Sequence, residues 1–236
     1  MSSGQPGVHL VGSVPLPDSE AVFRTVAREL GPHLRRIPDG ETGERGRWIW
    51  WQRQMLEGHP AMEVDPDVEP FKLHQWDGQL LRETPLLRIK SKMDPASLRF
   101  DTDYGRAAKD SYQVYSRLKD EGIIPAGTLF QISLPTPMAP AYMYVSPSSR
   151  DGFLPAYEQA LGRALADILS LIPLSELSIQ WDVCQEVLIF EDYFQERPPD
   201  YKRQVFDELS RLGQLVPEGV DWATIFATAA LATSTW

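Results

Sequence analysis

Short apolar segments alternate with longer segments of helical periodicity along this 236-residue chain, and the alternation restricts the possible folds more than any other feature. In the longest helical segment, Leu154, Leu161, Leu165 and Ile168 recur at helical spacing, and Asp151 is predicted to begin it. Asp18 is predicted to cap an earlier helix that stops at Gly31. Parallel strands joined by helical crossovers produce this order, so the sequence predicts an α/β fold. The strand-like segments are 8–13, 34–38, 86–90, 128–134 and 177–183, with a sixth placed within 222–228.

The number of strands narrows the architecture further. A closed (β/α) barrel of the TIM type has eight strands, whereas only five or six can be placed in this chain. We therefore expect a single domain over residues 1–236 that forms an incomplete TIM-type barrel. Prolines interrupt every period between residues 59 and 85, which predicts an irregular excursion over the surface there.

Charge and composition indicate which partners and compartment to expect. The chain has 33 acidic and 23 basic side chains, a formal charge of −10, whereas nucleic-acid surfaces need an excess of Lys and Arg. Residues 222–236 are uncharged but too short to span a bilayer, so an atypical tail is expected rather than a membrane segment. Cys184 is the single cysteine, and residues 1–7 lack an apolar targeting core, so the expected location is the cytoplasm.

Polar residues follow four of the predicted strands, where an α/β sheet gathers its reactive groups. These strand ends are 11–13, 38–41, 133–136 and 180–186. Two acids, Glu41 and Asp182, are the candidates for catalysis. The candidates for substrate binding are Gly12, Ser13, Asp39, Glu41, Thr136, Asp182 and Glu186.

Each candidate has a structural alternative. Backbone amides at residues 12–13 can receive a small anion, but glycine also serves ordinary turns. A partly buried acid at position 39, 41 or 182 requires a cation, which is a substrate ammonium, a metal, or one of the arginines at 35, 36, 45 and 47. Cys184 is a weak candidate for a metal ligand, and a buried lone cysteine more often fills space.

Familiar catalytic templates are missing from the sequence. The glycines at 40, 43 and 46 do not have the spacing of a dinucleotide-binding loop, and the four histidines show no metal-binding pattern. Tryptophans 48, 50 and 51 form either the floor of a pocket or part of the core, and core packing is the more common role for large rings.

Taken together, the four strand ends resemble the catalytic barrel of the cobalamin-independent methionine synthase family, whose superfamily includes uroporphyrinogen decarboxylase. Residues 11–13 resemble its Ile-Gly-Ser, whose amides receive the carboxylate of homocysteine. Residues 40–45 resemble Gly-Glu-x-x-Arg, whose glutamate holds the substrate ammonium. Residues 134–136 are similar to its Gly-Pro-x-Thr loop, and residues 179–182 to Ile-Gln-x-Asp, whose aspartate also faces the ammonium.

The resemblance implies a small amino-acid or thiol substrate and transfer of a methyl or alkyl group. The family binds zinc through a His-x-Cys pair, a glutamate and a second cysteine, and zinc supplies the reactive thiolate. The corresponding part of this chain, residues 215–225, has no His or Cys. The groups that recognise an amino acid are therefore retained, while the zinc ligands are not.

Three functions follow as hypotheses. The first is a divergent methyltransferase-type barrel that binds an amino acid or thiol at the strand ends. The second is a metal-free lyase or decarboxylase, in which Asp39 or Asp182 and an arginine such as Arg36 hold a carboxylated substrate and move a proton. The third is a non-catalytic truncated product, whose open sheet edges would favour homo-oligomers.

Overall fold

The computed structural model describes residues 7–75, 77–193 and 197–226, and these ranges contain eight β-strands and seven α-helices. The strands are β1 (Arg36–Pro38), β2 (Met62–Val64), β3 (Phe71–His74), β4 (Leu80–Thr84), β5 (Leu87–Ile89), β6 (Leu129–Pro135), β7 (Leu177–Val183) and β8 (Asp221–Phe226). The helices are α1 (Ser19–Leu30), α2 (Trp50–Gly58), α3 (Tyr104–Asp120), α4 (Met138–Tyr144), α5 (Pro147–Leu171), α6 (Gln185–Phe190) and α7 (Tyr201–Leu215).

A parallel sheet of four strands in the order β1-β6-β7-β8 organises the described part of the chain. Its strands alternate with helices, so the predicted α/β class is confirmed. The predicted barrel architecture is not confirmed, because only four strands join this sheet within the described residues. The sixth predicted strand is present as β8, and its last predicted residues, 227 and 228, lie outside the described residues.

Two predicted strands do not take part in the parallel sheet. The segment 8–13 makes one isolated parallel bridge, between Val8 and Leu34, and then crosses the face of the sheet. There the Val11 carbonyl accepts hydrogen bonds from side-chain amides of β6 and β7 instead of a neighbouring strand. The segment 86–90 forms β5, which pairs antiparallel with β2.

The expected irregular excursion at 59–85 is partly wrong, because it contains β2, β3 and β4. β3 and β4 form an antiparallel hairpin. Prolines 60, 66, 70 and 85 lie outside these strands, where no hydrogen bond between strands is lost. The prolines therefore separate short strands instead of preventing them.

The starts of two helices, α1 and α5, were predicted from capping residues, and one of the two predictions is correct. Asp18 caps α1 as its side chain accepts a hydrogen bond from the Ala21 amide at 2.8 Å. The long helix α5 begins at Pro147, with Ser146 at the N-cap, and not at Asp151. Proline suits the first helical position because its missing N–H would be unpaired there in any case.

The strands of the sheet bury one face and leave the other polar. In β7, Leu177, Ile179 and Trp181 are buried on the same side as Phe130 of β6, where the aromatic core also includes Tyr115 of α3. The alternate residues point to the opposite face. None of the helices in the described ranges has an apolar stretch long enough to cross a bilayer.

Candidate carboxylate site at the edge of the sheet

The turn after β1 sets the position of the first acid. Gly40 has φ +82°, and a Cβ there would lie 2.5 Å from a methyl group of Val22, so only glycine fits. Glu41 follows with φ +48°, which costs about 1–3 kcal/mol for a non-glycine residue. The Asp39 carboxylate offsets part of this cost, since it accepts a hydrogen bond from the Glu41 amide at 2.9 Å.

Asp39 is fully engaged within the protein. Its second carboxylate oxygen forms an ion pair with Arg45 at 2.5 Å and accepts a hydrogen bond from Ser111 at 2.6 Å. The sequence left a substrate ammonium, a metal or an arginine as the possible partner of Asp39, and the structure shows that the partner is Arg45. Asp39 holds the turn and the Arg45 side chain in place, and its predicted contact with a substrate remains a prediction.

Glu41 lies against the N-terminal segment. The hydroxyl group of Ser13 donates a hydrogen bond to its carboxylate. Gly12 permits this approach, because a Cβ at position 12 would lie 3.3 Å from both the Glu41 carboxylate and the Ser133 hydroxyl. Burial raises the pKa of Glu41, and the charge of Asp39 raises it further, whereas Ser13 and Arg45 lower it.

Asp182, at the end of β7, faces the same space. Burial raises its pKa to about 7, and the negative charge of Glu41 contributes to the rise. The side-chain amide of Gln180 donates a hydrogen bond to Asp182 at 2.7 Å, and the half-buried indole of Trp48 faces the carboxylate. Within the described residues, no ion pair within 4 Å is formed by Glu41 or Asp182.

Tyr104 is also part of the site, although it was not among the residues predicted from the sequence. It is buried at the start of α3, and burial raises its pKa well above the usual value, with further contributions from the charges of Glu41 and Asp182. The ring of Trp51 packs edge-on against it at 4.7 Å between centroids. Only the position of Tyr104 directly after the helix-opening Asp103 could have drawn attention to it.

A polar layer supports these carboxyl groups from below. The amide of Gln131 donates to the Leu10 carbonyl at 2.9 Å and to Gln180 at 3.0 Å, and His9 contacts Gln180 at 2.8 Å. Ser133 donates to the Val11 carbonyl at 3.1 Å. Because these contacts connect the N-terminal segment to β6 and β7, they fix where the acids stand.

The cavity beside Glu41 is small. Its volume is about 10 Å³, and it is lined by Glu41, Arg45, Tyr104, Gln131 and Ser133, together with neighbouring residues of β1, β6 and α3, but not by Asp182. A volume of this size holds about one water molecule. It therefore has no room for a ligand, which must lie outside it, on the side of exposed Ser13.

Thr136 and Glu186 do not share this site, which corrects the expectation of a single cluster. Both are buried, and the Thr136 hydroxyl faces the Glu186 carboxylate. The second neighbour of Glu186 is Glu208 of α7, on the helix side of the sheet. The chain turns after each strand end and carries these two side chains away from the face occupied by Asp182.

The residues do not fit the zinc that the family resemblance implies. Cys184 is buried, and His9 contacts Gln180. In residues 7–75, 77–193 and 197–226, no group of three or more His, Cys, Asp or Glu side chains is arranged to hold a metal ion. We therefore derive no reaction step that uses zinc.

Arg36 does not lie near the two acids, where it was expected to hold a carboxylated substrate. It pairs with Asp221 at 3.3 Å, at the opposite end of the strands.

The fold and the site together define an α/β protein with a pair of acids at the carboxyl end of a parallel sheet. Comparison with known protein families, with curated proteins and with solved structures gave no match to this chain. The functional argument therefore depends on the geometry of the site.

Proposed function

We propose that this protein binds the amino-acid head group of a small molecule, with the ligand ammonium placed between Glu41 and Asp182. The observation that carries the proposal is that these two acids are mostly buried, that the charge of Glu41 raises the pKa of Asp182, and that neither acid has an ion-pair partner in the described ranges. Two carboxylates in such a place repel each other and are poorly solvated. A bound cation relieves both effects.

The backbone next to Glu41 suits the ligand carboxylate. Among the hydrogen bonds between described residues, none uses the amide N–H of Gly12 or Ser13. Two successive amides form a site for a small anion. The proposed ligand is therefore a zwitterion, and the resemblance to the methionine synthase family extends the proposal to homocysteine-like thiols and to methyl or alkyl transfer.

Calorimetry with reduced L-homocysteine tests the proposal. We expect Glu41→Gln to weaken binding at least about tenfold, because one charge-assisted hydrogen bond to the ammonium is lost. Glu44→Gln is the matched control, since Glu44 is exposed in the same loop. N-acetylhomocysteine, which lacks the ammonium, should not bind. Equal affinity of the wild type and Glu41→Gln, or no binding of homocysteine, would refute the assignment.

A second candidate, a metal-free lyase or decarboxylase, is favoured by the pKa of about 7 at Asp182. A group with this pKa can give and take a proton near neutral pH. In a decarboxylation the bond to the carboxylate breaks, CO₂ leaves with the electron pair remaining on carbon, and protonated Asp182 transfers its proton to that carbon.

The pH dependence of binding separates the two candidates. An ammonium requires ionised Asp182, so homocysteine should bind more tightly as the pH rises from about 6 to 8. A dicarboxylate such as malonate, used as a substrate probe for the lyase, should bind more tightly as the pH falls over the same range. The direction observed decides which candidate is retained.

A further inference from the structure

A second group of acids lies in the cleft between α5 and α7, outside the site described above. The cleft has a volume of about 620 Å³. Apolar side chains from both helices, including Leu154, Pro155 and Leu215, form part of its walls. Glu208 of α7 also lines the cleft, yet its side chain is almost completely buried, with 3% exposure.

Several buried oxygen atoms near Glu208 have no hydrogen-bond partner in the described residues. They are Oε1 of Glu208, both carboxylate oxygens of Glu186 and the hydroxyl of Thr136. The three side chains face one another, and the backbone amide of Met138 serves the remaining carboxylate oxygen of Glu208. Unpaired buried oxygens are rare in folded proteins because each costs free energy. Thr136 and Glu208 both face Glu186, and of the three side chains only Glu208 lines the cleft, so its Oε1 is the acceptor open to a ligand.

The charges around the cleft indicate what that partner is. Asp151, Glu158 and Asp207 lie on its rim, with Arg211 as the one basic residue among the side chains that line it. Arg211 is occupied by a bidentate ion pair with Glu158 at 2.8 and 2.9 Å. The cleft thus combines a negative rim, apolar walls and an unpaired acceptor, Oε1 of Glu208, which together are complementary to a cation with an aliphatic chain.

We propose that this cleft binds an aliphatic amine, with the ammonium on Glu208 and the alkyl chain along Leu154 and Leu215. An ammonium has three N–H donors, and the unpaired Oε1 of Glu208 in the wall of the cleft can accept one of them. A divalent metal would require about six oxygen ligands. In the described part of the chain, no third His, Cys, Asp or Glu joins these two acids as a metal-binding group.

Binding is coupled to loss of a proton. Burial raises the pKa of Glu208 well above its usual value, and the nearby Glu186 raises it further. The other charged or titratable groups that face Glu208 are Glu158 on α5, Arg211 on α7 and Tyr142 on α4. An arriving ammonium replaces the proton on Glu208, and that proton passes to the solvent.

Calorimetry of the full chain with cadaverine, in two buffers of different ionisation enthalpy, tests this inference. We expect saturable binding with release of protons, because the raised pKa of Glu208 favours its protonated form in the free protein. Glu208→Gln should weaken binding at least about tenfold and abolish the proton release, and Glu186→Gln should also weaken it. Glu218→Gln is the matched control, because this exposed acid lies beyond the end of α7 and does not line the cleft, and its effect should stay within about threefold.

Three results would overturn the inference. The first is no binding of cadaverine at about 10 mM. The second is unchanged affinity in Glu208→Gln. The third is Glu208-dependent binding of Mn²⁺ without binding of the amine, which would assign the cleft to a metal. Binding of homocysteine at the sheet edge should be the same in Glu208→Gln and the wild type, so the two sites are tested independently.

Discussion

The pKa of Asp182 makes the stability of the protein depend on pH in a specific direction. In the folded state this pKa is about 7, against an ordinary value of 3.8. Because the folded pKa is raised, the folded state binds the proton more tightly than the unfolded state, and stability falls as the pH rises between these two values. From pH 5 to pH 8 the loss attributable to Asp182 is about 3 kcal/mol.

Asp182→Asn removes this contribution while keeping the size of the side chain. Urea unfolding at pH 5, 6, 7 and 8 should give a wild-type free energy of unfolding that falls with pH more steeply than that of the variant, by about 3 kcal/mol over the range. Above pH 7 the variant should gain stability relative to the wild type. Other acids with raised pKa values, such as Glu41, also lower wild-type stability with pH, so the difference between the two proteins isolates Asp182.

Asp110→Asn serves as the control, since Asp110 is exposed on α3, away from the carboxyl end of β7. It should leave the slope of stability against pH unchanged. Parallel curves for the wild type and Asp182→Asn would show that Asp182 is ionised normally in the folded protein, and the electrostatic argument for the site would be refuted.

Three further predictions concern the backbone of the site and the sheet edge. Gly40→Ala should lower the free energy of unfolding in urea by about 2–3 kcal/mol, because its Cβ would lie 2.5 Å from Val22. The control is Gly43→Ala, which should cost only about 1 kcal/mol, because Gly43 has φ +67° but nothing within 4 Å of its Cβ position. Equal losses in the two variants would contradict the steric argument. Gly12→Ala should displace Glu41 and weaken homocysteine binding in calorimetry by about tenfold. An affinity equal to that of the wild type would refute this prediction. We also expect homo-oligomers through the sheet edge at β8, and light scattering that shows a monomer at all concentrations would exclude them.

Several elements could be predicted because their signals are local. The alternation of apolar and polar residues predicted the strand 177–183 with its observed bounds, and Asp18 was correctly identified as a helix cap. The same alternation could not show that segment 86–90 pairs antiparallel with β2, since a period of two specifies which face is buried and not which strand is the neighbour.

The site shows the same limit. The sequence placed Glu41 and Asp182 at strand ends, and parallel strands bring such ends to one edge of a sheet. It could not show that Arg45 forms an ion pair with Asp39, or that Thr136 and Glu186 contact each other and Glu208 instead of the two acids. These outcomes depend on the direction of the chain within one or two residues after each strand.

The sequence by itself determined the α/β class, the polar strand ends and some of the helix ends, because each follows from residue spacing within about ten positions. Only the tertiary structure decided that the segment 8–13 crosses the sheet face, that Tyr104 lies beside the two acids, and that Glu186 meets Glu208. Each of these contacts joins segments distant in sequence, or a side chain to a face that only packing selects. Their free energies depend on burial and on neighbouring charges, which no local pattern records.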